Sequence, residues 1–192
     1  MEAHEASEAI EEGHGTPFKS KAALQISVLA LILALTNLGG SNSTKASGEH
    51  DIAASNYYSF YQAKNVRQTQ YKLASDQLEI TLASDSKINP AAKEKIEKTL
   101  AEYKKKIERY ESEPDTGEGK KELMEKAKHE EHERDLALRK DPWFDYAASL
   151  LQIAIVLASV AIVVSNPLLL GTSFVVGLLG ILSSLNGVFL LI

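Results

Sequence analysis

The chain has 192 residues, a formal net charge of −5 at pH 7 and no cysteine, which excludes disulfides, thiolate metal sites and S-acylation. Between Gly40 and Pro142, 19 Lys and Arg stand against 20 Asp and Glu, a balance that argues against a nucleic-acid surface and reads as solvated helix faces. From Trp143 to Ile192 the one charged side chain is Asp145, and this segregation describes an all-α integral membrane protein rather than a soluble domain.

Residues 1–21 form an acidic polar tail in which Glu2, Glu5, Glu8, Glu11 and Glu12 precede Lys19 and Lys21. The tail lacks the basic start of a secretory signal and no small-residue cleavage pattern stands out after the apolar run, so residues 22–38 are expected to be a retained transmembrane helix. Gly39-Gly40-Ser41-Asn42-Ser43-Thr44 opens a Gly/Ser-rich linker over residues 39–50 that breaks this span from the polar segment beyond it.

Residues 51–141 are predicted to be a helical stalk outside the membrane, with helices over about 51–83, 90–111 and 118–139. In the first of these, Tyr57, Tyr58, Phe60 and Tyr61 form an aromatic group suited to helix packing or to headgroup contact, and Val66, Leu73 and Ile80 repeat every seven residues. Asn89 and Pro90 supply an N-cap and a first-turn proline for the second helix. Its seam is Ile96, Leu100, Tyr103, Ile107 and Tyr110, with Lys and Glu elsewhere. Glu113-Pro114-Asp115-Thr116-Gly117 is a turn signal that predicts an antiparallel, coiled-coil-like return. The third helix is weakly apolar, with Leu123, Ala127 and Leu136 for burial and i, i+4 pairs Glu122 with Lys126 and Glu130 with Arg134. So narrow a seam predicts that further copies of the chain complete the stalk.

Asp141-Pro142 reads as the cap and first turn of a second transmembrane helix over residues 142–164, and Ser165-Asn166-Pro167 separates it from a third over 168–192. All three spans carry small residues on one stripe at alternating spacings of four and three. The first has Ala23, Ser27, Ala30, Ala34 and Asn37; the second Ala154, Ala158, Ala161 and Ser165, with Ala147 a heptad earlier; the third Ser173, Gly177, Gly180, Ser184 and Gly187. These are the expected helix-packing residues, within the chain or between copies, with Gln25, Gln152 and Asn186 as polar glue. No ionisable residue falls inside a span, which disfavours proton relays and ion-coupled carriers.

Candidate chemistry is sparse. His129-Glu130-Glu131-His132-Glu133 places two imidazoles at i and i+3, not the His-Glu-x-x-His spacing of zinc hydrolases, and His4 and His14 sit in the acidic tail. There is no phosphate-binding glycine loop, no Gly-x-Ser-x-Gly elbow and no cysteine nucleophile. No catalytic residue, metal ligand, cofactor or small-molecule substrate is therefore expected, and the chain reads as a non-enzyme.

The opening Met1-Glu2-Ala3-His4-Glu5, Pro17-Phe18-Lys19 before the first span, Tyr61-Gln62-Ala63-Lys64 and Leu151-Gln152-Ile153-Ala154-Ile155-Val156-Leu157-Ala158-Ser159 resemble the bacterial domain-of-unknown-function family 4337 over nearly the whole chain. The resemblance implies an acidic tail, one early span, a charged helical middle and a terminal two-span hairpin in a bacterial inner or intracytoplasmic membrane. It implies no activity. Family members carry more His and an Arg-Phe-Asp step before the hairpin, where this chain has Arg139-Lys140-Asp141-Pro142-Trp143-Phe144-Asp145.

Lys19 and Lys21 favour a cytoplasmic N-terminus, whereas Lys128, Arg134, Arg139 and Lys140 favour a cytoplasmic stalk; the second set outweighs the first here. The function expected is an oligomeric membrane scaffold or accessory subunit, bound to the lipid bilayer and to copies of itself or a larger membrane complex. The alternatives are a small oligomeric channel lined by the third span, with Ser173, Ser184 and Asn186 near the pore, and a metal-responsive sensor using His129 and His132.

Overall fold

The computed structural model describes residues 17–84 and 88–191, which form four helices: α1 (Pro17–Ser84), α2 (Pro90–Glu111), α3 (Lys120–Val164) and α4 (Pro167–Phe189). Residues 1–16 of the expected acidic tail, with His4 and His14, lie outside the described residues. Two of the starts obey one local rule. Asn89 and Asn166 each accept a hydrogen bond on the side-chain oxygen, from the Ala91 and Leu168 N–H at 2.9 Å, and each precedes a proline at the first helical position.

Two expected breaks are absent. Residues 39–50 are helical within α1, so the Gly/Ser-rich segment is not a linker. Its glycines serve close approach instead: a Cβ on Gly39 would lie 2.6 Å from Phe144 Cε1, and one on Gly40 3.2 Å from Phe144 Cβ. Phe144 is buried there, and this packing outweighs the helix-propensity cost of about 1 kcal/mol per glycine. Thr44 donates to the Gly40 carbonyl and to Asp141 Oδ1, and Ser47 donates to the Thr44 carbonyl, so the hydroxyls are met without ending the helix.

Pro142 likewise sits inside α3 and does not start a helix. A mid-helix proline costs roughly 3 kcal/mol, and the segment around it is clamped from two sides. Asp141 accepts from Thr44 of α1, Phe144 fills the space left by Gly39 and Gly187, and Ser183 of α4 donates to the Trp143 carbonyl at 2.9 Å.

The chain divides into two units, Met1–Ser47 with Asp135–Ile192, and Gly48–Arg134. In the first unit α3 buries Phe144, Ala147, Leu151, Ala154, Ala158 and Ala161, and α4 buries Ser173, Gly177, Gly180 and Gly187, both with four-three spacing. On α1 the buried positions are Ala22, Leu29, Thr36 and Ser43, seven residues apart. The expected α1 stripe is therefore one residue out of phase: Ala23, Ser27, Ala30, Ala34 and Asn37 are all exposed. The reason lies on α4, whose glycine face takes large partners; a Cβ on Gly177 would lie 2.7 Å from Leu29 Cδ2. Small residues on two helices leave room for bulk on the third.

In the second unit the residues of the expected α2 seam differ in burial. Leu100 is buried and Ile96, Tyr103, Ile107 and Tyr110 are half-buried. Tyr71 of α1 packs edge-on to Tyr103 at 5.1 Å and stacks with Tyr110 at 5.9 Å between centroids. From α3, Leu123 and Ala127 are buried. The inward positions of α1 are Ala54, Gln68 and Ser75, whereas the Val66, Leu73 and Ile80 repeat points outward. The expected intrahelical ion pairs are also replaced by contacts elsewhere: Glu122 binds Ser112 and the Glu113 N–H, Lys126 the Gly117 carbonyl, Glu130 His50, and Arg134 Asp51. The Glu113–Gly117 turn forms as expected, with Gly117 in the left-handed region at φ +65°.

Two glycines of α4 separate packing from propensity. A Cβ on Gly180 would meet Leu151 Cγ at 2.9 Å and the Ala147 carbonyl oxygen at 3.2 Å, while one on Gly171 would meet nothing within 4 Å. Gly180→Leu should therefore lower stability by about 1–3 kcal/mol through overpacking, and Gly171→Ala should leave it unchanged or raise it by up to about 1 kcal/mol. Thermal melting in mild detergent, monitored by helical circular dichroism, distinguishes the two.

Candidate functional site

Polar side chains at the two helix contacts are the most specific features of the chain. In the first unit Ser173, fully buried, donates to the Ala154 carbonyl of α3 at 2.6 Å and accepts from Gln25 Nε2 of α1 at 2.9 Å. One hydroxyl thus joins three helices. Farther along, Thr36 and Ser184 share a hydrogen bond of 2.9 Å. Asn186 is buried and closes α4: its side-chain oxygen accepts from the Leu191 N–H and its carbonyl from the Leu190 N–H. Of the three expected glue residues, Gln25 and Asn186 are engaged within the chain, and Gln152 is exposed.

The expected packing residues divide accordingly. Ala154, Ala158, Ala161, Ser173, Gly177, Gly180 and Gly187 meet in the first unit, with Ser184 half-buried beside them. Ala23, Ser27, Ala30 and Ala34 do not join them, and neither does Ser165. Thr36, which is nearly fully buried, has no counterpart among the expected residues, because a lone hydroxyl leaves little mark on an apolar run.

The second unit holds a three-helix polar node. Gln68 of α1 is 2% exposed; its Nε2 donates to the Ile107 carbonyl and to Glu111 Oε2, each at 2.9 Å, and its Oε1 accepts from Lys120 Nζ at 2.8 Å. Lys120, at the start of α3, also reaches Glu111 Oε2 at 3.2 Å and lies 5.6 Å from the Tyr61 ring centroid. The Gln68 amide, and then Lys120, hold the Glu111 carboxyl below its ordinary value. Glu122 is lowered as well, first by the Ser112 hydroxyl and then by the Glu113 N–H. No apolar periodicity marks Gln68 or Lys120. The signal that could have found them is phase: Gln68 lies seven residues from both Tyr61 and Ser75.

His129 and His132 are exposed on α3, and among the described residues no group of three His, Cys, Asp or Glu is placed to hold a metal ion. Among the described residues the imidazole that finds a partner is His50, whose Nδ1 lies 2.6 Å from Glu130 Oε2. No sequence motif singles it out.

The fold therefore defines an all-helical protein in which three helices, α1, α3 and α4, are long and apolar enough to cross a membrane. The chain belongs to the family described as Domain of unknown function (DUF4337), which matches residues 18–190. Neither the curated proteins nor the solved structures contain a match to it.

The node makes two measurable demands. Gln68→Leu leaves the Ile107 carbonyl and Lys120 short of partners and should cost about 1–3 kcal/mol in thermal or urea unfolding. Because the folded Glu111 carboxyl titrates below its ordinary value of 4.5, its contribution is present above that pH and is lost as pH falls through the lowered value. Glu111→Gln should accordingly flatten the loss of melting temperature below about pH 4.5, leaving the part that Glu122 supplies.

Proposed function

We propose that this protein is a non-catalytic, oligomeric membrane scaffold or accessory subunit. The apolar parts of α1, α3 and α4 sit in a bacterial inner or intracytoplasmic membrane, and the Gly48–Arg134 unit stands in the cytoplasm, where it meets copies of the chain or a larger complex. Lys128, Arg134, Arg139 and Lys140 support that orientation by the positive-inside rule.

One observation carries the oligomer. Ile52, Val66, Leu73 and Ile80 of α1 fall on one seven-residue register and are 64%, 55%, 64% and 58% exposed, in the unit that holds most of the charge. Scattered exposed apolar side chains are ordinary, but a row in helical register is what a second helix covers. Gln152 adds support from the apolar unit: it is exposed beside the exposed Ile153 and Val156, and an amide facing lipid gains hydrogen bonds by meeting another copy. The channel reading finds no such support, since Ser173 and Ser184 hydrogen-bond within the chain and Asn186 caps its own helix.

Membrane fractions washed with alkaline carbonate should retain the chain, and its release would end the membrane reading. Native mass measurement in mild detergent should give a discrete multiple of the 21.0 kDa subunit. Val66→Glu with Leu73→Glu should reduce it toward the monomer, with helical circular dichroism unchanged because both side chains are exposed. A wild-type monomer at all concentrations refutes the scaffold.

A further inference from the structure

Four cations of the Gly48–Arg134 unit converge on one concavity. On α1, Lys64 and Arg67 are one step of i, i+3; on α2, Lys106 and Arg109 are another, and both steps line the same cavity of about 290 Å³. Glu113 is the one carboxylate in its wall. Residues at this spacing share a helix face, so two Lys-x-x-Arg faces are turned toward a common space. Like charges gathered in this way repel one another, and a helix pair selected for stability alone would place acids opposite them.

The charges are only half compensated. Lys64 Nζ lies 3.4 Å from Glu118 Oε2, and Arg109 Nε lies 2.5 Å from Glu113 Oε1. Lys106 Nζ donates to the Tyr71 hydroxyl at 3.3 Å and lies 4.9 Å from that ring's centroid, and Glu102, one turn earlier on α2, acts on it electrostatically without forming an ion pair. The Tyr71 hydroxyl, and then Glu102, hold the Lys106 ammonium above the ordinary lysine value. Arg67 has no acidic partner among the described residues. The back wall is stiff, because Tyr71 is held between Tyr103 and Tyr110.

We propose that this cavity binds a small phosphate-bearing anion of the diphosphate class, with its oxygens on Arg67 and Lys106 and with Arg109 and Lys64 at its edge. A guanidinium offers paired N–H donors that match phosphoryl oxygens, and an ammonium adds a compact charge. A single carboxylate would answer too few of these donors. Extended nucleic acid is a poor fit, since the cations occupy one hollow rather than a stripe and the chain as a whole carries a charge of −5. A soluble diphosphate and a phospholipid headgroup both offer anionic phosphoryl oxygens to these donors. The cavity lies within one copy of the chain, so the site stands whether or not copies assemble.

The test is calorimetric titration of the full chain in nonionic detergent at low salt, with inorganic pyrophosphate as the probe. Saturable binding at one site per chain is expected, weakened about tenfold or more by Arg67→Gln with Lys106→Gln. The control pair Lys72→Gln with Lys105→Gln removes the same charge from exposed positions of the same helices outside the cavity, and should weaken binding by less than about threefold. Should the double cavity variant lose its helical spectrum, Arg67→Gln alone, an exposed side chain without an ion pair among the described residues, carries the comparison. No saturable heat with the wild type, or equal weakening by the two pairs, overturns the site. Repeating the titration in micelles doped with phosphatidic acid distinguishes the sources: competition assigns a lipid headgroup, and unchanged affinity assigns a soluble ligand. Both outcomes keep the phosphate site.

Discussion

The close approach of α3 to α4 is the constraint on which the apolar unit rests. With alanine on one face and glycine or serine on the other, the two backbones come near enough that a Cβ at Gly180 would stand 3.2 Å from the Ala147 carbonyl oxygen. If these helices cross a membrane as proposed, apolar side chains gain nothing by leaving one apolar surrounding for another, and such proximity and a few hydrogen bonds are then the available sources of cohesion. Ser173 uses both. Its small volume permits the approach, and its hydroxyl links the Ala154 carbonyl to Gln25. The third helix then contributes bulk where the other two contribute room, which is why Leu29 rather than an alanine faces Gly177.

The polar unit obeys a different logic. Its apolar seam is narrow, with Leu100, Leu123, Ala127 and Ala54 as buried hydrophobic residues, and three tyrosines supply much of the remaining contact between α1 and α2. Aromatic rings bury area at low conformational cost and tolerate a wet edge. Cations lie near several aromatic rings of this unit, with Lys64 5.8 Å from Tyr110 and Lys126 5.8 Å from Tyr57. Charged residues are therefore part of the packing as well as of the solvated surface.

Much of this architecture is legible in the sequence. The α2 boundaries, the Asn89-Pro90 start, the turn at Gly117 and the seams of α2, α3 and α4 can all be read from spacing and capping chemistry, because each depends on residues close together in the chain. The features that escape depend on partners far away in the chain. Gly39-Gly40 looks like a breaker until Phe144 is set against it, and Pro142 looks like a helix start until Thr44 and Ser183 are seen holding its neighbours. The phase of α1 escapes for a related reason. Small residues need not face inward on every helix, since two small faces suffice, and Val66, Leu73 and Ile80 are apolar without being internal. The Gln68 node is invisible to any search for hydrophobic periodicity.

That node also acts as a key against sliding. Amphipathic helices with seven-residue repeats can slip by one repeat and still bury similar surface. Moving α1 by seven residues would bring Tyr61 or Ser75 to the place of Gln68, and neither side chain offers two donors together with an amide acceptor. Lys120, the Ile107 carbonyl and Glu111 would each lose a bond at the wrong setting, so a single amide marks the one alignment in which all three groups are satisfied.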